Sequence, residues 1–267
     1  MAGIAFVIPN SDFSESPLGQ VTFKKNVNDL VSAYAENIGT HDYDEALKTM
    51  LRSLNVLGLL ESMDIYPMFG STLNLLKLNL LPKSNVAETE WQGRELVFGA
   101  NALANEDYVQ LDATTQTGTV TYHDVSIPTS ESPYVFTDVR IGTNNSVLYT
   151  NRDSTNLLIG SSNQKPRLVA RGVDQVVDDE TVTGRRVRLA VSVQSASQKV
   201  YVDEVGYENT STGSLTSLSF TDVLGPKSTS VCGAYVRFFA KGLVPASKVE
   251  SVNTIFKTFL DAVKPRA

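Results

Sequence analysis

The hydrophobic pattern of this chain changes period near residue 245, and that change constrains the fold more than any other feature. Val231 to Leu243 has the composition of a strand and its exit, and Pro245 follows it. From Ser247 onward, apolar residues recur at three- and four-residue steps, the period of an amphipathic helix. Ser247 and Glu250 have the spacing of a capping box, so we predict that Ser247 caps this helix. A β-rich domain is therefore expected to close with a strand, a short turn and a helix.

From about Leu96 onward, the chain consists of short segments rich in β-branched and aromatic residues, separated by Gly, Asn, Asp, Ser and Pro. Such spacing is typical of an antiparallel sandwich or barrel. The best hairpin candidate runs from Val187 to Val202, where valine and leucine alternate with polar or small residues on both sides of a turn. No internal repeat of fixed period is visible, which argues against propellers and solenoids.

The residues before the β-rich region divide into two zones. Residues 1–40 mix apolar and looped stretches and predict an arm, which is either a poorly packed terminus or a segment that orders against a neighbouring subunit. Residues 43–63 have apolar side chains at helical spacing and predict one helix before the sandwich. The expected organisation is an arm at 1–40, a helical segment and turn at 41–82, and a sandwich ending in a helix at 83–267.

Composition places the chain among core-forming globular proteins and disfavours nucleic-acid binding. Its 267 residues are 42% hydrophobic and 19% charged, with a net charge of −6, whereas nucleic-acid binders need a concentrated basic surface. The densest basic cluster, Arg185, Arg186 and Arg188, alternates with Val187 and Leu189. We interpret it as an exposed strand face, with a phosphate site as the alternative.

The single cysteine and the lengths of the apolar segments indicate in which cellular compartment the protein is made. Cys232 is the single cysteine, so an intrachain disulfide or a cysteine zinc site is excluded, and its apolar neighbours predict a buried side chain. No basic segment precedes the apolar stretch near Met1, and no run approaches the ~20 apolar residues that cross a bilayer. We expect a protein made in the cytoplasm, without membrane insertion.

Motifs for enzymatic chemistry are missing from the sequence. His41 and His123 stand alone, and no nucleophile elbow, phosphate-binding glycine loop or dinucleotide fingerprint is present. A glycosidase on a sandwich fold would need two carboxylates ~5–10 Å apart across the sugar bond. Asp178 to Glu180 and Asp203-Glu204 are consecutive, so their side chains diverge on a strand. We therefore expect no enzymatic activity and no cofactor.

Oxygen-rich loops offer weak candidates for calcium. Asn105 to Asp107, Asp138 and Asn144-Asn145 supply carboxylates and amides of the kind that calcium uses. Loop solubility explains the same residues equally well, so no metal site is assigned.

The amino-terminal half resembles virion proteins of tailed bacteriophages. In that family an amphipathic helix runs into an apolar turn, a short lysine–asparagine–leucine piece and a phenylalanine–glycine stretch. The matching segments here are Tyr43 to Leu60, Asp64 to Gly70, Lys77 to Leu80, Phe98 to Asn101 and Asp107-Tyr108, together with the arm segments Asp12 to Ser14 and Leu18 to Thr22.

The rest of the chain resembles the laminin-G/concanavalin-A-like sandwich that such proteins contain. The matching parts are the Val187–Val202 hairpin, Lys199 to Asp203, and the closing Phe238 to Val252 segment. Glu204 departs from the pattern because a turn glycine is common there, so we expect a longer hairpin tip. The resemblance implies a mainly β fold: an antiparallel jelly-roll sandwich with an N-terminal arm, one helix before it and a C-terminal helix.

What the resemblance implies about function is binding without catalysis. The first expectation is a virion subunit, a tail fibre or appendage. It forms a homo-oligomer such as a trimer, docks on other virion proteins through its N-terminal region and binds a host-surface glycan. The alternatives are a head decoration protein with no ligand and, less favoured, a glycan-degrading enzyme on the same fold.

Aromatic side chains provide the ligand-binding candidates, since sugar sites combine an aromatic platform with polar groups. The candidates are Trp91, Tyr122, Tyr134 and Tyr149. Core filling is the alternative role for each of them.

Overall fold

A computed structural model defines the fold. It describes residues 26–38, 42–69, 80, 103–104, 107–111, 117–126, 131–141, 147–151, 157–162, 164–170, 173–177, 181–182, 184–193, 197–210, 217–224 and 234–263.

Three α-helices and two short 3₁₀ turns lie within these ranges. The helices are α1 (Val27–Ile38), α2 (Asp44–Val56) and α3 (Val249–Ala262), and the 3₁₀ turns are Leu60–Ser62 and Ala246–Lys248. None of the described helices is long and apolar enough to cross a membrane.

Fourteen strands make up the remainder of the described elements. They are β1 (Met63–Pro67), β2 (Leu103–Ala104), β3 (Val109–Leu111), β4 (Thr117–Ser126), β5 (Ser132–Ile141), β6 (Val147–Asn151), β7 (Leu157–Ser162), β8 (Lys165–Ala170), β9 (Val173–Val176), β10 (Arg186–Val193), β11 (Ser197–Val202), β12 (Val205–Thr210), β13 (Ser217–Leu224) and β14 (Ala234–Val244).

These strands form two antiparallel sheets. The eight-stranded sheet has the order β12-β11-β10-β5-β14-β3-β2, with β1 as a further partner of β14, and the six-stranded sheet has the order β4-β13-β6-β7-β8-β9. Strand β8 of the second sheet contacts β10 and β11 of the first. The predicted antiparallel sandwich is confirmed.

Strand β14 pairs with β5 on one side and with two strands, β3 and β1, one after the other on its other side. Its first residues pair with β3, and Phe238 to Gly242 pair with β1. Gly242 faces Met63, and a β-carbon there would lie 2.1 Å from the Ser62 carbonyl oxygen. The close approach of β1 therefore requires glycine at this position.

The predicted hairpin from Val187 to Val202 is present as β10 and β11. Val191 pairs with Val200 and Leu189 with Val202, so the alternating apolar residues share the face that lies against the second sheet. Ala190 is buried as well. From Leu189 onward both faces of β10 are buried, and small residues, Ala190 and Ser192, alternate with the larger apolar ones.

The hairpin tip between β11 and β12 is tight, contrary to the expected longer loop. Val202 pairs with Val205, which leaves only Asp203 and Glu204 in the turn. Both have positive φ, 48° and 95°, as a two-residue turn that matches strand twist requires. Glu204 adopts the strained backbone that glycine would adopt freely.

The helices cover the outer face of the eight-stranded sheet. The Phe256 ring of α3 lies 5.1 Å from the rings of both Phe136 and Phe238, measured between centroids. Helix α2 packs against α3, and Lys248 Nζ donates to the Leu57 carbonyl oxygen at the end of α2, 2.6 Å away. The described core therefore has a helical layer in addition to the two sheets.

Helix α1 lies within the segment expected to be an arm. Val27, Leu30, Val31 and Tyr34 are buried, at the spacing of one helix face. Asn26 Oδ1 accepts from the Asn28 backbone N–H at 2.9 Å and caps the start. The prediction of a single helix before the sandwich was incomplete, and the part of the predicted arm before Asn26 lies outside the described residues.

The start of α3 differs from the predicted capping box. A 3₁₀ turn precedes the helix, Lys248 occupies the N-cap position, and no side chain caps it. Glu250 binds Lys199 across the layer instead, at 3.2 Å. The predicted capping box is therefore wrong.

Truncating Phe256 tests the helical layer. Phe256→Ala is expected to destabilise the protein by ~3–5 kcal/mol, because a fully buried aromatic leaves a cavity. Val56, which is 86% exposed, provides the control. Urea unfolding of Val56→Ala is expected to stay within ~0.5 kcal/mol of wild type, and equal effects of the two substitutions would contradict the packing described.

Backbone strain at Glu204 yields a second prediction. Glu204 also pairs with Lys257 at 2.7 Å, so Glu204→Gly relieves strain and removes an exposed ion pair. In a Lys257→Gln background, where the pair is already absent, Glu204→Gly is expected to stabilise by ~0.5–1 kcal/mol. The gain in the wild-type background should be smaller. Denaturant unfolding of the four variants measures both, and destabilisation in both backgrounds would exclude strain as the dominant effect.

Candidate functional site

Tyr134, one of the predicted ligand-binding aromatics, is part of the core. Its side chain is fully buried, and its hydroxyl donates to Asn253 Oδ1 of α3 at 2.6 Å. Burial raises the pKa of Tyr134 well above its ordinary value, which keeps the hydroxyl neutral. The ring is covered by α3 and is not available to a ligand, so core filling is the role that the structure gives it.

The other predicted aromatics lie in less completely described regions. Tyr122 in β4 pairs with Phe220 of β13, and Tyr149 in β6 pairs with Leu224 of the same strand. The side chains of Tyr122 and Tyr149, and Trp91 as a whole, lie outside the described residues, so their ligand-binding roles stay predictions.

The outer face of the eight-stranded sheet changes from apolar to charged where α3 ends. On β5, Tyr134 and Phe136 lie under the helix, and Asp138 and Arg140 follow at the next positions of the same face. On β10, Arg188 pairs with Asp138 and Arg186 with Arg140. With Arg237 of β14, these residues form a charged end to the sheet that we name the arginine rim: Arg140, Arg186, Arg188 and Arg237 around Asp138.

Asp138 is the centre of the arginine rim. Its carboxylate is fully buried, and Arg186 binds it through two N–H groups, with Nε 2.5 Å from Oδ1 and Nη2 bonded to Oδ2. Arg188 Nε lies 3.8 Å from Oδ2. A buried carboxylate is tolerated when several donors satisfy it. The arrangement holds the Arg186 and Arg188 side chains against the sheet.

Arg188 connects the arginine rim to α3 and to the hairpin tip. Its Nη2 donates to Asp261 Oδ1 at 2.6 Å, and its backbone N–H donates to Asp203 Oδ1 at 2.8 Å. Arg185 pairs with the other oxygen of Asp203. Together with the pairs of Glu250 and Lys257, these contacts align α3 along the sheet.

Arg237 is the most buried cation of the rim, with 5% of its surface exposed. Its Nη2 donates to the Val263 carbonyl oxygen just beyond α3, and its guanidinium lies over the Phe69 ring, 5.1 Å from the centroid. Burial, with the nearby charge of Arg186, lowers the pKa of Arg237 to about 10. At neutral pH the side chain therefore keeps its charge in a poorly solvated place.

Asp138 had been a weak candidate for calcium, and the structure gives it a different role. Both of its oxygens face guanidinium groups, which repel a cation from the position that it would occupy. The described residues contain no group of three or more His, Cys, Asp or Glu side chains suited to a metal. Asn105, Glu106, Asn144 and Asn145 lie outside the described residues.

A shallow groove separates α2 from α3 on the outer surface. Its volume is about 490 Å³, and its lining includes Val56, Leu57 and Ile255 beside polar side chains of both helices. Val56 is the most exposed large apolar residue in the described part of the chain. The groove holds no cluster of charged donors and differs in this from the arginine rim.

Sequence reasoning found only part of this site. The cluster Arg185, Arg186 and Arg188 was visible and was interpreted as an exposed strand face, which is partly correct because Arg186 and Arg188 keep 34% and 20% of their side chains exposed. Their pairing with Asp138 depends on the β5–β10 register, which no local pattern shows. Arg237 was not predicted as a site residue. The one indication in the sequence was a single arginine within an otherwise apolar strand segment.

The central role of Asp138 can be measured. Asp138→Asn is expected to destabilise the protein by ~3–5 kcal/mol, because the arginines of the rim lose the buried charge that offsets them. Glu45→Gln, which removes an exposed carboxylate paired with Lys48 on α2, is the control and should leave the stability nearly unchanged. Thermal unfolding compares them, and a neutral Asp138→Asn variant would show that the rim arginines do not depend on this carboxylate.

Comparisons with known proteins support the fold. No family model and no curated protein sequence matches the chain. A structure of botulinum neurotoxin type C, reported with the statement that cell entry depends upon interaction with two ganglioside molecules, aligns with a TM-score of 0.50 at 12% identity over 77% of this chain and 53% of that one. A sialidase from Trypanosoma rangeli aligns with a TM-score of 0.50 at 11% identity over 82% of this chain and 39% of that one. The chain spans about half or less of these proteins, and at such identities the likeness shows a β-sandwich fold.

Proposed function

We propose that this protein is a non-enzymatic subunit of a bacteriophage particle that binds a host-surface glycan through its lectin-like sandwich. Its N-terminal region docks on other virion proteins or on a second copy of the chain. The observation that carries the binding role is the arginine rim, a group of guanidinium donors fixed on three neighbouring strands, of which Arg140 is exposed and Arg186 and Arg188 are partly exposed.

The rim suits recognition because its donors are held in place before a ligand arrives. Asp138 anchors Arg186, and Asp261 anchors Arg188. Arg140 lies at the outer end of the rim, where it is exposed and its guanidinium lies 5.9 Å from the centroid of the Tyr235 ring. Donors on rigid strands lose little conformational entropy on binding, so a polar ligand such as a sugar could be bound without rearrangement.

The ion pairs of the described carboxylates support binding over catalysis. Asp138, Asp203 and Asp261 are bound by arginines, and Glu204 and Glu250 by lysines. Glycoside hydrolysis needs two carboxylates that face each other across a sugar bond. In this part of the chain, those carboxylates face cations instead.

The helical layer supports docking through the N-terminal region. Helix α1 packs on α2, and Tyr34 and Tyr43 donate to carbonyl oxygens of Pro67 and Phe69 at 3.5 and 3.3 Å. Helix α1 and the segment between α1 and α2 are therefore in contact with the residues at the end of β1 and just beyond it. A docking segment that precedes α1 would hold the glycan-binding domain in a defined orientation on the particle.

Glycan screening of the purified protein tests the binding role. We expect binding to a defined class of glycan, reduced about tenfold by Arg140→Gln through loss of one charge-assisted contact. Arg52→Gln is the matched control, since Arg52 is an exposed arginine on α2 that contacts Asn28. Absence of binding to any glycan by the folded protein would refute the proposal.

Immunogold labelling of whole particles tests the location. Label on the tail supports a receptor-binding appendage. Label over the head, together with silence on glycan arrays, would identify a decoration protein without a ligand and overturn the proposed function.

A further inference from the structure

The guanidinium of Arg237 has hydrogen-bonding capacity that the protein does not use. The side chain is 95% buried, and Nη2 alone is satisfied, by the Val263 carbonyl oxygen. Nε and Nη1 are buried without a hydrogen-bond partner in the described part of the chain. Buried unpaired donors on a charged group are costly, so an acceptor is expected at this place.

The charge of Arg237 is also poorly offset. Asp138 is bound by Arg186 and approached by Arg188, and Asp261 is bound by Arg188. Asp138 and Asp107 act on Arg237 only through longer-range attraction, and no salt bridge joins it to a carboxylate of the described residues. Water could accept the hydrogen bonds, but only an anion would also supply the missing negative charge.

Arg237 is held in place, which suits it to an anion of fixed shape. The β14 strand is irregular between Val236 and Phe238, so Arg237 lies at a break in the pairing with β5. Its carbonyl oxygen accepts from the Met68 N–H at 2.8 Å, and its guanidinium lies over Phe69. The unpaired Nε and Nη1 lie on opposite edges of the planar guanidinium, so an anion oxygen binds at one of these edges, and the second hydrogen of Nη2 is the parallel donor for its other oxygen.

We propose that Arg237, with Arg186 and Arg188 beside it, forms a binding site for a small oxyanion, a carboxylate or sulfate group. The ligand group is small because the free N–H groups are buried, so it is a charged substituent and not a whole sugar ring. Resting on the proposed function, this makes the preferred glycan an acidic one whose charged substituent enters the arginine rim.

Thermal unfolding in sodium sulfate, compared with sodium chloride at matched ionic strength, is the first test. At low millimolar concentrations, below those at which sulfate stabilises proteins generally, sulfate is expected to raise the Tm of the wild-type protein more than chloride does, because a ligand that binds only the folded state stabilises it. Arg237→Lys keeps the charge but loses the planar pair of donors and should lose the sulfate-specific increment. Arg185→Gln, which removes an arginine that pairs with Asp203 at the edge of the rim, should retain it.

A calorimetric titration with glucuronate tests whether the site binds a carboxylate as well as sulfate. Binding of glucuronate that weakens about tenfold in Arg188→Gln supports the site, and this variant also serves if Arg237→Lys does not fold. Equal effects of sulfate and chloride, or a sulfate response that survives in Arg237→Lys, would overturn the proposal.

The outcomes separate this site from the proposed function. Binding of neutral glycans that is unchanged in Arg237→Lys would overturn the oxyanion site while glycan recognition stands. A sulfate and glucuronate response without binding to any glycan would support the oxyanion site and refute the proposed function.

Discussion

The packing of α3 on the eight-stranded sheet is the contact on which the rest of the described structure depends. An antiparallel sheet commonly leaves one face to solvent. Here Phe256 and Phe259 of α3 pack on Phe238, and the outer face of the sheet is buried beneath the helix. The sheet is therefore covered on both sides, with apolar residues at successive positions of β10. Where α3 ends, the same face continues with charged residues, and Asp138 and Arg237 stay buried among them.

This explains why the charged site lies where it does. The Val263 carbonyl oxygen, just past the last turn of α3, is an acceptor at the negative end of the helix dipole, and Arg237 binds it. The same arginine stands at the boundary between the apolar core and the rim around Asp138. The helix terminus thus positions one member of the rim, and the strand register positions the others.

Elements with strong local patterns could be predicted from the sequence. The contacts between elements could not, because they depend on strand register and helix packing. The β10–β11 hairpin and α2 follow from their apolar spacing. Helix α1 has the same spacing at Val27, Leu30 and Val31 but was obscured by the looped stretch before it. The Ser247 cap and the longer hairpin tip were wrong, because a 3₁₀ turn precedes α3 and because Asp203 and Glu204 close a two-residue turn with positive φ. Tyr134 could not be distinguished from a surface aromatic without knowledge of α3.

The pairing of β1 with β14 has a consequence for synthesis of the chain. Helices α1 and α2 and strand β1 leave the ribosome early, but their apolar partners are β14 and α3, near the other end of the described chain. Domains that depend on contacts between residues distant in sequence fold slowly, and their folding intermediates expose apolar surface that promotes aggregation. Until β14 and α3 have been made, β1 and α2 lack these partners, so a nascent chain of this protein is expected to depend on chaperones that shield their apolar surfaces.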